Sequence, residues 1–251
     1  MVFVVPDLSS AVFWAALWKI IVANIILSGD NAVVIAMACH NLSDRYRKPA
    51  ILFGSAGAIG LRIVFCAVIG LLLAVPYLKL VGGALLLWIG IKLLIEEDEE
   101  AKIKAHDNIW AAIWTIIVAD AVMSLDNAIA IAAAAKGDFT LIVIGLVISI
   151  PIIVLGATLI SRVLDRFPWL GLVGAGLIGW IAGEVMAGEG RLDQTDASGR
   201  LIEVVRSGTI ADWLDRTVPH AETVAGALGA GLVLVAGLSL ARLHGRRAEK
   251  N

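Results

Sequence analysis

The sequence predicts an all-α, polytopic membrane protein, folded as a single transmembrane domain over residues 1–251. Three observations support this prediction. Hydrophobic residues make up 59% of the chain and charged residues 17%, whereas soluble domains contain roughly a half and about a quarter. Seven segments are long and apolar enough to cross a bilayer. The first three of these segments also have counterparts in the next three.

Each predicted span holds roughly 20 mostly apolar residues, the length that an α-helix needs to cross the hydrocarbon core. The stretch ILFGSAGAIGLRIVFCAVIGLLLAV is apolar all round, which favours burial in lipid over an amphipathic helix on a soluble core. Its small residues allow neighbouring membrane helices to approach closely. The seven spans are predicted at 12–39, 50–74, 76–95, 108–135, 139–161, 168–187 and 223–243.

Charge and cysteine usage exclude other classes of protein. The formal net charge of -2 gives no basic footprint, so we expect no nucleic-acid partner. Cys39 and Cys66 both lie in apolar segments and indicate neither a disulfide framework nor a zinc motif. The N-terminus has no positively charged region before its first apolar run, so no removable signal peptide is expected.

The distribution of Lys and Arg predicts the orientation. With the N-terminus outside and the C-terminus in the cytoplasm, short cytoplasmic loops receive most basic residues, as the positive-inside rule requires. We expect this orientation in the cell (inner) membrane. The extracytoplasmic loop is then 188–222, which carries mixed charge and contains a predicted surface helix in TIADWLDRTVPHAE. A solvated cap over the bundle is the simpler interpretation of that loop.

An internal repeat is the most informative feature of the chain. Residues 14–38 align with residues 110–134 without a gap, and 15 of 25 positions are identical. A second alignment, of PYLKLVGGALLLWIGIKL with PWLGLVGAGLIGWIAGEV, has 8 of 18 identical positions. Repeat one therefore covers 12–95 and repeat two covers 108–187.

The repeat unit has three spans, which predicts how the two copies are related. An odd number of spans makes the second copy enter the membrane from the opposite side, so the copies form an inverted 3+3 pair. Inverted repeats build many secondary transporters, in which two halves share a central site that opens to each side in turn. The seventh span, 223–243, falls outside the repeat and is interpreted as a peripheral addition.

Polar residues recur at matching positions in the first span of each repeat. A carboxylate in mid-bilayer costs about 2.5 to 3.5 kcal/mol, so each must face protein, water or a cation. Carboxylate, amide and hydroxyl groups are hard oxygen donors that suit Mg²⁺, Ca²⁺ and Mn²⁺. An interhelical hydrogen-bond network is the structural alternative. The predicted metal-handling residues are Asp30, Asp126, Asp120, Asn31, Asn127, Asn24, Ser28 and Ser124.

Two basic residues are available to balance three aspartates. Lys19 lies in the first span, and Arg62 lies in the middle of the second span without a basic counterpart in the fifth. Arg62 is predicted either as a structural counter-ion or as a gating residue. A break of the first span at Ser28-Gly29 is one way to gather the polar groups, whereas Leu125 at the matching position argues against a break in the second copy.

The chain resembles the TerC family in these residues. SGDN at 28–31 and SLDN at 124–127, each in an Ala-rich span of a three-plus-three repeat followed by a seventh helix, are similar to that family. LSGDNAVVIAMA is especially similar to its YjbE-type branch. The resemblance covers about residues 12–190 and places the chain with the LysE superfamily of exporters. It implies Mn²⁺ efflux, with Asp30, Asn31, Asp126 and Asn127 as the metal-handling set.

These observations predict a membrane transporter that exports a divalent cation, most of all Mn²⁺, by alternating access. We expect no enzyme activity. We also expect no cofactor, because Mn²⁺ would be the transported ion. The lipid bilayer and a divalent metal ion are the predicted partners, and proton exchange is one option for the energy source. The alternatives are an accessory subunit for metal loading or membrane-protein assembly, and an exporter of a small basic solute. An intramembrane aspartyl protease is disfavoured, since LSGDN and MSLDN match neither YD nor GxGD.

Overall fold

A computed structural model shows a helical bundle with one small β-hairpin. It describes residues 11–72, 75–100, 109–135, 138–167, 169–195 and 201–248. The helices are α1 (Ala11–Leu27), α2 (Gly29–His40), α3 (Asp44–Leu72), α4 (Leu78–Glu100), α5 (Ile109–Ala134), α6 (Phe139–Arg166), α7 (Leu170–Ala187), α8 (Ile210–Thr217) and α9 (Ala221–Ala248). The strands are β1 (Arg191–Thr195) and β2 (Leu201–Val205). The bundle confirms the predicted helical, polytopic architecture.

Five of the described helices are long and apolar enough to cross a membrane, and they lie in α3, α4, α6, α7 and α9. The pair α1 and α2 counts as a sixth span if its two bent parts are taken together. In α5 the apolar stretch is shorter and runs over Ile109–Leu125. The structure therefore supports five or six spans among the described residues, and the seventh span stays a prediction.

The first span is broken at the position that its sequence indicates. The axes of α1 and α2 differ by 49°, and Ser28 between them has φ -113° and ψ 9°. By contrast α5 continues without interruption, and it carries Leu125 where the first copy has Gly29. The break in the first copy and its absence in the second copy are therefore both confirmed.

The helices of the two repeats pack in a reciprocal manner. The second helix of repeat one, α3, packs against α5, which is the first helix of repeat two. Likewise α6, the second helix of repeat two, packs against α1 and α2. The third helices, α4 and α7, pack on each other. A pseudo-twofold relation would produce this pattern, and the inverted orientation of the repeats stays a prediction that the pattern supports.

Outward-facing apolar side chains indicate the surface that meets lipid. Leu71 is 73% exposed, Trp110 76% and Leu155 70%. Such side chains are stable in contact with hydrocarbon, where they need no cover from other helices. Two buried apolar clusters fill the interior, one among α1, α2, α3, α5 and α6 and one among α2, α4, α5, α6, α7 and α9.

The last long helix, predicted as peripheral, lies beside α4 and α7. Its contact with α7 is a close approach of two backbones. A methyl group added at Gly179 would meet the carbonyl oxygen of Gly229, and one added at Gly183 would meet that of Ala225. Glycine is therefore required on α7 at this crossing, as at other tight contacts between membrane helices.

The predicted loop 188–222 is more structured than the sequence indicates. Its predicted surface helix is present as α8. Ahead of α8, β1 and β2 pair in an antiparallel hairpin with Arg191 opposite Val205. The sequence predicts no strand here, because five-residue strands are too short to show a distinctive alternation of polar and apolar residues.

The close approach of α7 and α9 leads to a test of packing. We expect Gly183→Ala to lower the melting temperature in detergent, because overpacking of this kind costs about 1 to 3 kcal/mol. Gly231→Ala on α9 is the matched control, since a methyl group there meets nothing within 4 Å. Its melting temperature should be unchanged or slightly higher, because Ala is the better helix former. Equal melting temperatures for the two variants would contradict the packing described.

Candidate functional site

A buried polar cluster lies between α1, α3 and α5, and the guanidinium of Arg62 is at its centre. Arg62 is only 1% exposed. On one side its Nη1 donates to Asn24 Oδ1 at 2.5 Å and to Ser28 Oγ at 2.8 Å. On the other side Nη2 donates to Asp120 Oδ1 at 2.6 Å, and Nε donates to Ser124 Oγ at 2.8 Å. The guanidinium therefore joins the first helix of repeat one to the first helix of repeat two.

Further hydrogen bonds fix the acceptors of this cluster. Ser124 Oγ donates to Asp120 Oδ2 at 2.8 Å, and Asn31 Nδ2 donates to Asp120 Oδ1 at 2.6 Å. Asn24 Nδ2 donates to Ser149 Oγ of α6 at 2.5 Å. Both carboxylate oxygens of Asp120 thus accept hydrogen bonds, and a fourth helix holds Asn24 in position.

Arg62 and Asp120 form a buried ion pair, with side chains 1% and 8% exposed. Removing both charges from water is costly, and the attraction between them offsets the cost only when other hydrogen bonds satisfy the remaining donors and acceptors. The neutral side chains around the pair provide those bonds. Lys19, the other basic residue of the first two spans, is exposed on α1 and lies outside the cluster.

Asp30 occupies a different environment from Asp120. It lies in the first turn of α2, directly after the break, and its Oδ1 accepts a hydrogen bond from the backbone N–H of Asn31 at 2.9 Å. The side chain is half-buried. Arg62 attracts its carboxylate and Asp120 repels it. A carboxylate at a helix N-terminus is favoured by the helix dipole.

Asn31 connects Asp30 with the ion pair. Its backbone N–H binds Asp30 and its side-chain amide nitrogen binds Asp120. The side chain is 2% exposed, and within the described ranges its Oδ1 has no hydrogen-bond partner. A buried carbonyl oxygen without a donor is costly, and it is a ready ligand for a cation.

A cavity of about 380 Å³ extends from Asp30 to the hairpin side of the bundle. Asn127 of α5 lines it together with Asp30 at the inner end. Four charged residues line it toward the hairpin and the start of α9: Lys79, Glu184, Arg191 and Glu222. The side chain of Glu222 is 45% exposed. The cavity therefore leads from the protein surface to a carboxylate in the broken span.

Ion pairs organise the outer end of this cavity. Arg191 Nη1 lies 2.9 Å from Glu222 Oε1, and Arg191 also pairs with Asp215 of α8. The Lys79 ammonium donates to the carbonyl oxygen of Arg191 at 3.1 Å. Glu189 accepts hydrogen bonds from the backbone N–H groups of Tyr77 and Lys79, each at 3.0 Å. These contacts attach the hairpin, α8 and α9 to the start of α4.

The other end of the broken span is closely packed. Most of α2 beyond Asp30 is buried, and the cavity described beside Met37 and His40 measures only about 10 Å³. At this end Arg47 Nη1 pairs with Asp165 Oδ2 at 2.6 Å and its Nη2 donates to the carbonyl oxygen of His40 at 2.9 Å. In the arrangement described, Asp30 is reached from the hairpin side.

The predicted site residues divide into two groups. Asn24, Ser28, Asn31, Asp120 and Ser124 gather around the guanidinium of Arg62. Asp30 and Asn127 line the cavity beside that cluster. The side chain of Asp126 lies outside the described part of the structure. No group of three or more His, Cys, Asp or Glu residues suited to a metal occurs among the described residues.

Several residues of the site were not predicted as part of it. Ser149 is a single hydroxyl in an apolar span with nothing in its local sequence to name Asn24 as partner. Lys79, Arg191 and Glu222 lie in loop-flanking positions, where charge is ordinary. Only Glu184 carried a signal, since a carboxylate near the end of a predicted span is uncommon, and its Oε1 accepts a hydrogen bond from Trp180 Nε1 at 2.6 Å.

Comparisons with known proteins agree on one family. Residues 9–240 match the model of the integral membrane protein TerC family. The membrane protein YjbE of Bacillus subtilis strain 168 is 43% identical over 177 residues, which cover 70% of this chain and 81% of YjbE. YceF of the same organism is 28% identical over 185 residues, 70% of this chain and 72% of YceF. The UPF0053 inner membrane protein YoaE of Escherichia coli K12 is 25% identical over 178 residues, 62% of this chain and 34% of YoaE. No solved structure matches the chain.

The ion pair can be tested by a double-mutant cycle on the free energy of unfolding in detergent. We expect Arg62→Gln and Asp120→Asn each to destabilise the protein by about 3 to 5 kcal/mol, because each leaves one buried charge uncompensated. The double variant should lose much less than the sum, since two neutral amides can bond to each other. Additive losses would contradict a direct interaction between the two side chains.

Proposed function

The chain belongs to the TerC family of integral membrane proteins, and from this premise we propose that it exports a divalent metal cation, Mn²⁺ first among the candidates. The observation that carries the proposal is the position of Asp30. Its carboxylate lies at the break of the first span, at the inner end of a cavity that reaches the surface. A carboxylate in such a position needs a cation or water beside it.

The donors around Asp30 suit a hard cation. Asp30 offers a carboxylate, Asn127 an amide beside it in the cavity lining, and Asn31 a buried carbonyl oxygen. Asp126 is the further ligand that we propose from the sequence repeat. Oxygen ligands of this kind bind Mn²⁺, Mg²⁺ and Ca²⁺ rather than soft metals. The family resemblance is what places Mn²⁺ ahead of the other two.

Access from one side supports an alternating mechanism. The cavity leads to Asp30 from the hairpin side, while α2 is buried toward its other end. With the N-terminus outside the inner membrane, as the basic residues predict, the hairpin side is extracytoplasmic. The arrangement is then the one from which an exported cation would leave. Rocking of the two repeats would close this cavity and open a path from the cytoplasm.

We propose the exchange of protons for metal as the energy source, because Asp30 can bind a proton when the cation leaves. Uptake of protons into vesicles during metal movement would be measured with a pH-sensitive dye. Competition among Mn²⁺, Ca²⁺, Mg²⁺ and lysine in the same vesicles distinguishes a metal exporter from an exporter of basic solutes.

The site assignment is tested by Asp30→Asn. We expect this variant to lose at least about 90% of Mn²⁺ efflux from loaded vesicles, because the amide keeps the hydrogen-bond acceptor but removes the charge that attracts a cation. Its melting temperature should be close to that of the wild type, since the bond from the Asn31 backbone to the side chain can be kept. Efflux is measured with radioactive or fluorescence-reported Mn²⁺.

Asp212→Asn is the matched control. Asp212 lies on α8, where it accepts hydrogen bonds from Gly208 and Arg216 outside the predicted spans. The control variant should transport at the wild-type rate. Undiminished efflux by Asp30→Asn would end the assignment of Asp30 to the transport site.

A further inference from the structure

We propose that Arg62 is a built-in substitute for the transported cation: its guanidinium holds the oxygen ligands in the unloaded half of the cycle, and incoming metal displaces it from Asp120. This inference rests on the proposed transport of a divalent cation and assigns a role within that cycle. The substrate class is therefore a cation that competes with a guanidinium for carboxylate, amide and hydroxyl oxygens.

The first observation is the overlap between two ligand sets. Four residues that the sequence repeat marks as candidate metal ligands accept hydrogen bonds from Arg62, at 2.5 to 2.8 Å: Asn24, Ser28, Asp120 and Ser124. All four offer oxygen atoms, and all are buried. A positively charged group therefore already lies among oxygens that the sequence repeat marks as candidate metal ligands.

The second observation is the cost of the alternative. Asp120 is 7% exposed and would be an uncompensated charge in the membrane if both metal and Arg62 were absent. An exporter must return without metal in every cycle, and the conformational change is slow if the charge of Asp120 has to cross a dry region uncompensated. The Arg62 guanidinium removes this cost, since it stays covalently attached and moves with the protein.

The third observation is a path by which metal at the cavity can act on the ion pair. Asn31 binds the same Oδ1 atom of Asp120 that Arg62 binds, and its backbone N–H binds Asp30. Asp30 interacts electrostatically with both members of the pair. A divalent cation beside Asp30 therefore repels the guanidinium and attracts Asp120, so that its arrival weakens the ion pair.

Displacement would also change how the two repeats are connected. Arg62 binds Asn24 and Ser28 on the side of repeat one, and Asp120 and Ser124 on the side of repeat two. A guanidinium that leaves Asp120 but keeps Asn24 and Ser28 releases α5 from α1. Binding of the metal thereby weakens the contact between α1 and α5, which belong to the two repeats that must move relative to each other.

The test compares net efflux with exchange in reconstituted vesicles. Net Mn²⁺ efflux requires return of the unloaded carrier, whereas exchange of labelled for unlabelled Mn²⁺ across the membrane does not. We expect Arg62→Gln to lower net efflux at least about tenfold while exchange stays within about threefold of the wild type, because Mn²⁺ beside Asp30 offsets the charge of Asp120 in the loaded form. Added Mn²⁺ should also raise the melting temperature of Arg62→Gln more than that of the wild type.

Two further variants serve as controls. Arg62→Lys keeps the charge and should retain most of the net efflux. Arg45→Gln removes an exposed arginine from the same helix, one that stacks on Tyr46, and should change neither rate. Variants are purified with Mn²⁺ present, so that the metal can replace the missing charge during folding.

The outcomes separate this inference from the proposed function. A wild type that moves no Mn²⁺ in either assay rejects the proposed function. A wild type that transports, beside an Arg62→Gln variant whose net efflux and exchange fall by the same factor, overturns the inference alone. An Arg62→Gln variant that stays unfolded in Mn²⁺, or is stabilised no more than the wild type, gives Arg62 a structural role and overturns it too.

Discussion

The buried ion pair of Arg62 and Asp120 is the interaction on which the arrangement of this bundle depends. Two charges within a membrane protein are stable only beside each other and with their remaining donors and acceptors satisfied. Asn24, Ser28, Asn31 and Ser124 satisfy them from three separate helical segments. The requirement for complete hydrogen bonding thus fixes how α1, α2, α3 and α5 lie relative to one another.

The two repeats share a pattern but differ where charge is handled. The position of Asn24 in the first copy is that of Asp120 in the second, so the aligned pair consists of one amide and one carboxylate. The first copy also breaks at Ser28, whereas α5 is continuous. Asp30 therefore lies at a helix start beside a cavity, whereas Asp120, the counterpart of Asn24, lies within closed packing. The two repeats thus handle charge at different positions of the shared pattern.

The sequence was sufficient to predict the helices, because apolar segments of membrane length are recognised from composition. It also located the polar residues, since repetition marks them, and it indicated the break at Ser28-Gly29. The sequence did not predict which of these polar residues bind each other. That Arg62 binds Asp120 while Asp30 lines a cavity depends on the rotation of each helix about its axis, which small-residue packing decides. Ser149 and the β1–β2 hairpin were missed because neither has a periodic or repeated signal.

The exchange of packing partners between α3 and α6 has a consequence for the independence of the two halves. Each repeat contributes its middle helix to the surface that the other repeat buries. Neither three-helix unit encloses an interior of its own, so a peptide containing one unit would expose the faces that its sister normally covers. Contacts between the two units hold them together, so a chain cleaved between α4 and α5 is expected to remain assembled.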